Sequence, residues 1–430
     1  MKNNPRLSPL NIDNKIKKNK VQPLKNMTFA LKDNFAVRNI PTTGGTKLLE
    51  NFKITYNSTV YEKLIKAGAK PITKANLDEL AMGFSGLTSG FGVVLNPYDG
   101  SKIIGGSSSG SAYLIANKEV DFSIGSDTGD SVRKPAWYVG ITAFKPTWGI
   151  VSRYGLFDFS PSWDTVGWFS KNVDDSALLL DVLQGKDEKD FTSLNSREKD
   201  FLKDINNIKK EDVKLGYIKS FLDDIKDKDI LNKFNDLILK LKKDGFNIVE
   251  IDLDLKLFKT ILTVYRIISS VNGFSSNSNL TSFLFGNFEL ENDEFKNEIT
   301  RIRSNFVYEV KKRFLLSSEV FLNKKNLYNK ARKIRHLYIN ALSDLFAKID
   351  AIIMPPAGNY APSIKDAFNA VKYNSIMDEY LGIFNANGSP SLNIPILKNI
   401  EKPFSVNIAT APFNDKKCLQ IGKLLEKYER

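Results

Sequence analysis

The segment 213–253 carries a strand–helix–strand pattern, and it restricts the fold more than any other part of the sequence. Residues 214–218 have the apolar content of a strand, and apolar residues then recur at helical spacing within 230–241. Gly245 is placed to end that helix, and residues 247–251 form a second apolar run. Two strands joined by a helical crossover lie parallel in one sheet. We therefore predict an α/β fold with a mixed, mainly parallel sheet that helices cover on both faces.

Weaker patterns divide the rest of the chain into one large domain and two less regular regions. Residues 1–26, rich in Lys, Asn and Pro, are expected to form an N-terminal extension at the surface, and residues 27–430 the domain itself. A mostly helical, charged insertion is predicted around 254–345. The remaining patterns predict a helix over 59–71 that ends near Gly68, strands at 71–73, 120–124, 351–354, 392–396 and 404–409, and a helix at 416–428.

The composition limits the chemistry that the chain can perform. Its 430 residues include one Cys, Cys418, and one His, His336. These counts exclude a disulfide framework, a Cys/His zinc site and a His-rich metal centre, so no metal is expected. A hydrolase with this composition needs a base other than histidine. The net charge of +13 comes from lysines spread along the chain, which favours a solvated surface over a dedicated nucleic-acid face.

The sequence also predicts where the protein works. No run approaches the roughly 18 apolar residues that a membrane span requires. The N-terminal residues have no apolar core of the kind found in a secretory leader. We therefore expect a cytoplasmic protein that does not bind membranes.

A Gly/Ser-rich loop at 105–111 allows three interpretations. Its glycines have the spacing of a phosphate-binding loop, but Ser111 stands where that motif requires lysine. A Gly-x-Ser-x-Gly run centred on Ser108 matches the nucleophile elbow of α/β-hydrolases, which also needs a later acid and then a histidine. His336 is the one candidate, and it lies in a basic helical stretch that favours a structural histidine. The third interpretation is a flexible turn without chemistry.

Two further segments could supply a nucleophile and a base. In the loop 125–135, successive small residues let backbone N–H groups converge, as in an oxyanion hole or an anion nest, and Ser131 lies at the end of this run. Lys32, within the stretch 31–35, is the natural base for a chain without a usable histidine. Burial would lower the pKa of a lysine, so that a neutral amine accepts a proton near neutral pH. The alternative for any single lysine is a surface charge.

Together the three segments resemble the amidase signature family. The family pattern is a lysine in a K-D-N context, a G-G-S-S-G-G-S loop and the loop G-S-D-T-G-G-S-I-R-Q-P. This chain has Lys32 followed by Asp and Asn, then the loop 105–111, then a G-S-D-T-G-D-S-V-R-K-P loop that contains Ser131. The separations between Lys32, Ser107 and Ser131 are similar to those of the family. The resemblance implies a single large amidase domain.

The resemblance also implies a role for each residue of a Ser–cisSer–Lys triad. Ser131 would be the nucleophile, Ser107 a bridging serine after a cis peptide at Gly106, and Lys32 the terminal base. The backbone N–H groups of the nucleophile loop would hold the oxyanion. The loop residues implied for the oxyanion hole are Thr128, Gly129, Asp130 and Ser131, and those implied as supports are Asp127 and Arg133.

Within the family, the chain is similar to the A subunits of glutamyl-tRNA(Gln) amidotransferases. The likeness rests on residues 76–83 and 145–156 and on Asp164 and Gly167, and it extends from about residue 29 to the C-terminus. It implies that the chain releases ammonia from glutamine for a B-type subunit, which amidates an activated glutamyl-tRNA(Gln), in a complex that also contains a C-type subunit. No cofactor is expected in this chain; ATP and Mg²⁺ are expected in the partner subunit.

Three residues are candidates for the glutamine pocket. The stretch 309–313 stands where the family has E-V-K-R-R, and Arg313 is the candidate for the substrate carboxylate, because a guanidinium pairs with a carboxylate in a fork. Asp378 matches the acidic residue of the family's Y-x-N-D stretch and is expected to hold the amino group. Tyr265 is a further pocket candidate. The alternatives are ordinary surface charges for Arg313 and Asp378 and a core aromatic for Tyr265.

Four departures from the family pattern leave more than one function possible. Asp130 replaces the Gly before the nucleophile, and Lys134 replaces a Gln and is expected to pair with Asp130. The region 276–286 lacks the family's R-F-D-G stretch, and the N-terminus is shorter than usual. An active glutaminase subunit is the favoured interpretation. A non-catalytic scaffold of the same complex and a stand-alone amidase for small amides are the alternatives.

Overall fold

The computed structural model describes residues 2–253, 255–281, 285, 295–373 and 380–429. Within these ranges the fold is built around one sheet of eleven strands. Numbered along the chain, the strands are β1 (Arg6–Pro9), β2 (Thr28–Lys32), β3 (Lys70–Ala75), β4 (Phe122–Asp127), β5 (Thr142–Lys145), β6 (Thr165–Ser170), β7 (Lys214–Ile218), β8 (Asn247–Ile251), β9 (Ala351–Met354), β10 (Ser391–Leu397) and β11 (Phe404–Thr410). Their order across the sheet is β1-β3-β2-β4-β6-β5-β10-β11-β9-β7-β8.

Helices pack around this sheet. None of those in the described ranges has the length and apolar character needed to cross a membrane. The α-helices are α1 (Thr59–Lys66), α2 (Ser109–Ala116), α3 (Arg133–Val139), α4 (Val173–Leu183), α5 (Lys219–Leu222), α6 (Lys228–Lys243), α7 (Leu255–Phe258), α8 (Ile261–Asn277), α9 (Phe295–Ser304), α10 (Tyr308–Asn323), α11 (Lys325–Phe346), α12 (Ile364–Tyr373), α13 (Ile383–Ala386) and α14 (Asp415–Glu426).

The sheet is mixed, as predicted, but parallel pairs do not predominate in it. Among the described strands, four neighbouring pairs are parallel and six are antiparallel. The parallel pairs flank β2 and β7, whereas β10 and β11 form an antiparallel hairpin between β5 and β9. The expectation of a mainly parallel sheet is therefore wrong. It rests on the one βαβ unit, and short apolar runs elsewhere carry no information about strand direction.

Both faces of the sheet are covered, because successive residues of a strand point to opposite sides. Phe29 and Leu31 of β2 pack into a core that includes residues of α1, α4 and α14, while Ala30 between them packs with residues of α2 and α3. In β9, Ile353 and Ile352 likewise point to opposite faces of the sheet. Ile353 packs into the same core as Phe29, and Ile352 packs into a cluster that contains residues of α8, α10 and α11. The predicted α/β architecture with helices on both faces is confirmed.

The predicted βαβ unit is confirmed. β7 and β8 are parallel neighbours, and α6 lies between them in the chain. Asp227 caps the start of α6 through hydrogen bonds to the backbone N–H groups of Asp229 and Ile230. Gly245 follows the helix with a φ of +93°, a conformation that glycine adopts without strain. Between β8 and β9 the described residues contain α7 to α11, the region for which the helical insertion is predicted.

Within the N-terminal segment, Arg6–Pro9 forms strand β1, so residues 2–26 are not wholly separate from the domain, although most of them lie at the surface as expected. β1 pairs antiparallel with β3, and it occupies the edge of the sheet. Leu10 and Leu24 are buried in the main core, although many of their neighbours in the segment are exposed. The sequence of β1, RLSP, contains one large aliphatic residue, which is too little periodicity to predict a strand.

The topology brings the three candidate segments to one end of the sheet. β2 and β4 are parallel neighbours, with Leu31 opposite Ile124, so their carboxyl ends lie at the same edge. Lys32 is the last residue of β2, and the loop with the candidate nucleophile follows β4 directly. The loop 105–108 precedes α2, which packs against β4. The candidate site is therefore built where two strands end and one helix begins.

Candidate active site

Lys32 is completely buried, and the contacts of its amine within the described residues are with hydroxyl and carbonyl groups. Its Nζ lies 2.8 Å from Ser107 Oγ and 2.9 Å from each of Ser108 Oγ and Ser126 Oγ. Asn34 Nδ2 donates to the same Ser126 hydroxyl at 3.1 Å. Serine hydroxyls both donate and accept, so this surrounding fits a neutral amine as well as an ammonium.

Burial lowers the pKa of Lys32 from 10.5 to about 7. The loss of hydration is the main cause, and the nearby carboxylates of Asp78, Asp127 and Asp164 limit the decrease. A general base works best when its pKa lies near the operating pH. The structure therefore gives Lys32 the low pKa that is expected of a lysine base.

Ser107 contacts the Lys32 amine, and the next residue, Ser108, is hydrogen-bonded to the nucleophile loop. The Gly106–Ser107 peptide bond is cis, as the resemblance implies. The Ser107 carbonyl accepts a hydrogen bond from the backbone N–H of Asp78 at 3.2 Å. A Cβ added to Gly106 would lie 1.9 Å from Asp78 Oδ2, so a side chain at this position would displace a buried carboxylate. Ser107 is thus held in direct hydrogen-bonding contact with the Lys32 amine.

Ser131, the candidate nucleophile, follows β4 in a loop that is bonded to the Ser107 loop. It is 6% exposed, and its carbonyl accepts the backbone N–H of Ser108 at 3.3 Å. In the part of the chain that the structure describes, the backbone N–H groups of Gly129 and Ser131 donate to no backbone carbonyl. Donors that are not used within the loop's own backbone are what an oxyanion hole requires.

The threonine of the nucleophile loop is fixed by a buried aspartate. Thr128 Oγ1 donates to Asp164 Oδ1 at 2.7 Å. The other oxygen of that carboxylate accepts the backbone N–H groups of Phe159 and Ser160 at 2.9 and 2.8 Å. Since all of these groups are buried, rotation of the loop would break several hydrogen bonds together.

A buried ion pair supports the loop from behind. Asp127 and Arg133 are both completely buried, and the guanidinium contacts the two carboxylate oxygens at 2.9 and 3.1 Å. Arg133 also donates to the Gly129 carbonyl at 2.8 Å. Asn385 bridges the pair, because its Oδ1 accepts from Arg133 at 2.6 Å and its Nδ2 donates to Asp127 Oδ1 at 2.8 Å. These contacts fit the supporting role that is expected of Asp127 and Arg133.

Asp130, which replaces the family's glycine, forms an ion pair with Lys134. The Nζ and Oδ2 atoms are 3.5 Å apart, and both residues are buried. The expected pairing of these two departures is confirmed. The carboxylate that would oppose an oxyanion is therefore faced by the basic side chain of Lys134, four residues further along the chain.

Tyr265 and Arg313 lie next to the nucleophile loop. A Cβ built on Gly129 would lie 3.2 Å from the Tyr265 ring, so the ring packs directly over this part of the loop. The Arg313 guanidinium is 5.9 Å from the centre of that ring and 5.0 Å from the Phe159 ring. It donates to the Met82 carbonyl at 3.0 Å through Nε. The structure thus brings both pocket candidates to the site, whereas Asp378 lies outside the described residues.

Two supporting residues are not identified by the sequence patterns. Asp78 accepts the backbone N–H groups of Ser85, Gly86 and Thr88 at 3.0 to 3.1 Å, and it faces Gly106. The stretch 76–83 carries a likeness to the family, but the likeness assigns no role to its aspartate. Asn385 lies 252 residues beyond Arg133 in the sequence, and nothing in its local sequence marks it.

The structure does not support the α/β-hydrolase alternative. Ser108 is completely buried and donates to the Ser126 carbonyl at 3.1 Å. His336 is exposed on α11, where it lines an open cavity with Pro161 and Tyr328. Within the described ranges there is no hydrogen bond between Ser108 and His336, and no group of three or more His, Cys, Asp or Glu side chains is placed to hold a metal ion.

These residues together can carry out acyl transfer. A buried amine with a pKa near 7 contacts the hydroxyl of Ser107 among others, and Ser131 lies on the adjoining loop together with backbone N–H groups that donate to no backbone carbonyl. Nucleophile, base and oxyanion donors are the components that such a reaction requires. Arg313 adds a positive charge close to the same loop.

Comparison with known proteins agrees with this geometry. The model of the family described as Amidase matches residues 4–419. The A subunit of the glutamyl-tRNA(Gln) amidotransferase of Mycoplasma genitalium is 38% identical over 413 residues, covering 94% of this chain and 86% of that protein. The corresponding A subunit of Thermoanaerobacter pseudethanolicus is 34% identical over 421 residues, covering 96% and 85%.

Solved structures give the same result for the fold. The A subunit of the glutamyl-tRNA(Gln) amidotransferase of Thermotoga maritima superposes with a TM-score of 0.82 at 29% identity, covering 99% of this chain and 89% of that one. The native peptide amidase of Stenotrophomonas maltophilia superposes with a TM-score of 0.79 at 22% identity, covering 95% and 84%. At that identity the second likeness concerns the fold alone.

Proposed function

The chain belongs to the amidase family, and on this premise we propose that it is the amidase subunit of a glutamyl-tRNA(Gln) amidotransferase, which hydrolyses glutamine to supply ammonia. The observation that carries the proposal is the 2.8 Å hydrogen bond between the Lys32 amine and Ser107, next to the loop of Ser131. The likeness to the A subunits, over nearly the whole chain, supports a place in such an amidotransferase, and glutamine as the amide donor is part of our proposal.

In the first half of the proposed reaction, Ser131 attacks the side-chain amide of glutamine. The neutral Lys32 amine accepts the proton of Ser107 Oγ while Ser107 accepts the proton of Ser131 Oγ, so one proton moves to Lys32 and Ser131 Oγ forms a bond to the carbonyl carbon. The carbonyl oxygen becomes an oxyanion, to which the N–H groups of Gly129 and Ser131 donate.

The second half releases the two products. The tetrahedral intermediate collapses, its C–N bond breaks, and the proton held on Lys32 returns through Ser107 to the departing nitrogen, which leaves as ammonia. A water molecule then attacks the ester on Ser131 with the same two groups accepting its proton. The bond between the carbonyl carbon and Ser131 Oγ then breaks, the proton held on Lys32 returns through Ser107 to Ser131 Oγ, and glutamate leaves. Each step needs Lys32 to gain and lose one proton, for which a pKa of about 7 is suited.

The proposed glutamine pocket lies on the Tyr265 side of the loop. Arg313 binds the α-carboxylate, since its charge lies beside the Tyr265 ring that packs over Gly129. Tyr265 forms an apolar wall for the side chain of the substrate. Asp378, as a proposal from the sequence alone, holds the α-amino group.

The partners and cofactors belong to the proposal as well. The ammonia passes to a B-type subunit that amidates activated glutamyl-tRNA(Gln), and a C-type subunit completes a heterotrimer. ATP and Mg²⁺ act in the partner subunit, and this chain binds no cofactor of its own. A cytoplasmic location follows from the need for access to aminoacylated tRNA.

The proposal is tested by ammonia release from glutamine by the complex of this chain with its partner subunits. Wild type should release ammonia, and Ser131→Ala should lose at least about a thousandfold in kcat with the complex intact. Ser111→Ala, a buried serine of α2 that donates to the Ile124 carbonyl at 2.9 Å, is the matched control and should retain activity. No release by an assembled wild-type complex would favour the scaffold, and release by the isolated chain from small amides would favour the stand-alone amidase.

A further inference from the structure

The helix that carries Arg313 begins at a buried carboxylate from a distant part of the chain. Val307 is the residue before α10, and no side chain of its own segment caps the helix. Instead, Glu79 Oε2 accepts the backbone N–H of Val307 at 2.6 Å. The first N–H groups of a helix lack partners within the helix, and a negative charge is favourable there. Glu79 therefore acts as a cap across 228 residues of sequence.

The same segment also contacts the guanidinium itself. The Met82 carbonyl, three residues after Glu79, accepts from Arg313 Nε at 3.0 Å. Arg313 is six residues beyond Val307, which corresponds to about 9 Å along a helix axis. The segment 79–82 thus holds both the start of the helix and the side chain of its arginine, so a shift of one contact would move the other.

The backbone between these two contacts is held in an unusual conformation. Leu80 and Ala81 have φ values of +52° and +57°. Two successive residues with side chains rarely adopt the left-handed region, and they keep it where surrounding contacts impose it. Here the Leu80 N–H donates to the Gly44 carbonyl at 2.6 Å, and the Glu79 N–H to the Thr88 carbonyl at 2.8 Å. Strain of this kind occurs at sites where the geometry serves a function.

Glu79 itself is 1% exposed, so its carboxyl group is not hydrated at the surface. Burial raises its pKa to about 7, while hydrogen bonds from the Thr46 side chain and the Val307 N–H and the charge of Lys311 oppose this increase. A buried carboxyl group is unfavourable unless its hydrogen bonds are made. The hydrogen bond to Val307 at the start of α10 therefore helps to stabilise the carboxyl group in its buried position.

We propose that Glu79 is a positioning residue for glutamine binding, which sets the place of Arg313 by fixing the first turn of α10. This inference rests on the proposed function, because it assumes that Arg313 binds the substrate carboxylate. Within the described residues, Glu79 has no hydrogen bond to Lys32, Ser107 or Ser131. Its loss therefore weakens the binding of substrates that carry a carboxylate and leaves the chemistry at Ser131 in place.

The first test removes either partner of the hydrogen bond. Glu79→Ala should raise KM for glutamine at least about tenfold and change kcat less than about threefold. Glu79→Gln keeps an acceptor oxygen and should restore most of the affinity. Val307→Pro removes the backbone N–H that Glu79 accepts, and proline fits here because Val307 has a φ of −62°. This variant should raise KM for glutamine as Glu79→Ala does. The two changes combined should not add, since both delete one contact.

Matched controls separate positioning from general damage. Val307→Ala keeps the N–H, and Glu319→Ala changes an exposed carboxylate of the same helix, so both should retain the wild-type KM. Hydrolysis of 4-aminobutyramide, which is glutamine without its carboxylate, should be equally slow in the wild type and in Glu79→Ala. The proposal would be overturned if Glu79→Ala lost as much kcat/KM on 4-aminobutyramide as on glutamine. An unchanged KM for glutamine in Glu79→Ala would overturn it as well.

A structural measurement distinguishes its failure from failure of the proposed function. Amide hydrogen exchange in the first turn of α10 should become faster in Glu79→Ala and return towards the wild-type rate in Glu79→Gln. If the wild type releases no ammonia from glutamine, the proposed function fails whatever the exchange shows. If the wild type is active but the exchange of α10 is unchanged in Glu79→Ala, the positioning role alone is refuted.

Discussion

Replacing Lys32 with methionine is expected to remove a defined part of the pH dependence of stability. In the folded chain the pKa of Lys32 is lowered to about 7, whereas an exposed lysine has a pKa of 10.5. Between these values the unfolded chain binds a proton that the folded chain lacks. The free energy of unfolding therefore rises with pH across this window, and below about pH 7 the full penalty applies, on the order of 5 kcal/mol.

The magnitude over an accessible range follows from the same linkage. Between about pH 7.5 and 9.5 this lysine should add about 2.5 kcal/mol to the free energy of unfolding of the wild type. The methionine variant lacks this increment but keeps the contributions of the other buried lysines, such as Lys63 and Lys145, whose pKa values burial lowers to about 8 and about 7. Those contributions cancel when the two proteins are compared, so the difference reports Lys32 alone.

Urea unfolding of both proteins at the two pH values measures this difference. The stability of Lys32→Met relative to wild type should fall by about 2.5 kcal/mol as the pH rises from about 7.5 to about 9.5. Lys25→Met, which changes an exposed lysine, should follow the wild type. An identical pH dependence in Lys32→Met and wild type would refute the argument that the buried amine is neutral above pH 7.

Three further predictions concern the loop and the histidine. Asp130→Asn removes the carboxylate that faces Lys134 and should lower the free energy of unfolding, measured in urea, by about 3 kcal/mol. Asp130→Gly combined with Lys134→Gln should lower it less, because both members of the ion pair are removed together. Equal decreases for the single and the double variant would show that the two residues are not coupled. Arg133→Ala breaks the buried ion pair with Asp127 and should lower the free energy of unfolding by about 3–5 kcal/mol and reduce ammonia release. Arg133→Lys should recover only part of the stability and of the activity, because lysine lacks the planar guanidinium. Full recovery in Arg133→Lys would contradict this reasoning. His336→Ala should leave ammonia release within about twofold of wild type, and its abolition would revive a histidine base.

The residues proposed for catalysis could be predicted from the sequence because their types and order are restrictive. A single histidine in a basic helix leaves few candidates for a base, and the K-D-N context identifies Lys32 among fifty lysines by resemblance. The two Gly/Ser-rich loops contain Ser107 and Ser131. The structure adds what spacing alone does not contain, namely the complete burial of Lys32 and the hydroxyl groups around it.

The residues that support the site depend on tertiary structure. Asn385 bridges Asp127 and Arg133 from α13, and Glu79 meets Val307 across more than half the chain. Such contacts arise where distant loops meet, and no local periodicity records them. The predominance of antiparallel strand pairs escapes prediction for the same reason, because a short apolar run shows that a strand exists but not which strand it joins.

The central claim is that Ser131 forms an ester with the glutamyl group during turnover. The most direct test is mass spectrometry of the chain after the complex has been mixed with glutamine and quenched in acid within its first turnovers. We expect a glutamyl adduct on the peptide that contains Ser131, absent from Ser131→Ala and reduced in Lys32→Met. Rapid ammonia release without an adduct at Ser131, or an adduct that persists in Ser131→Ala, would contradict it.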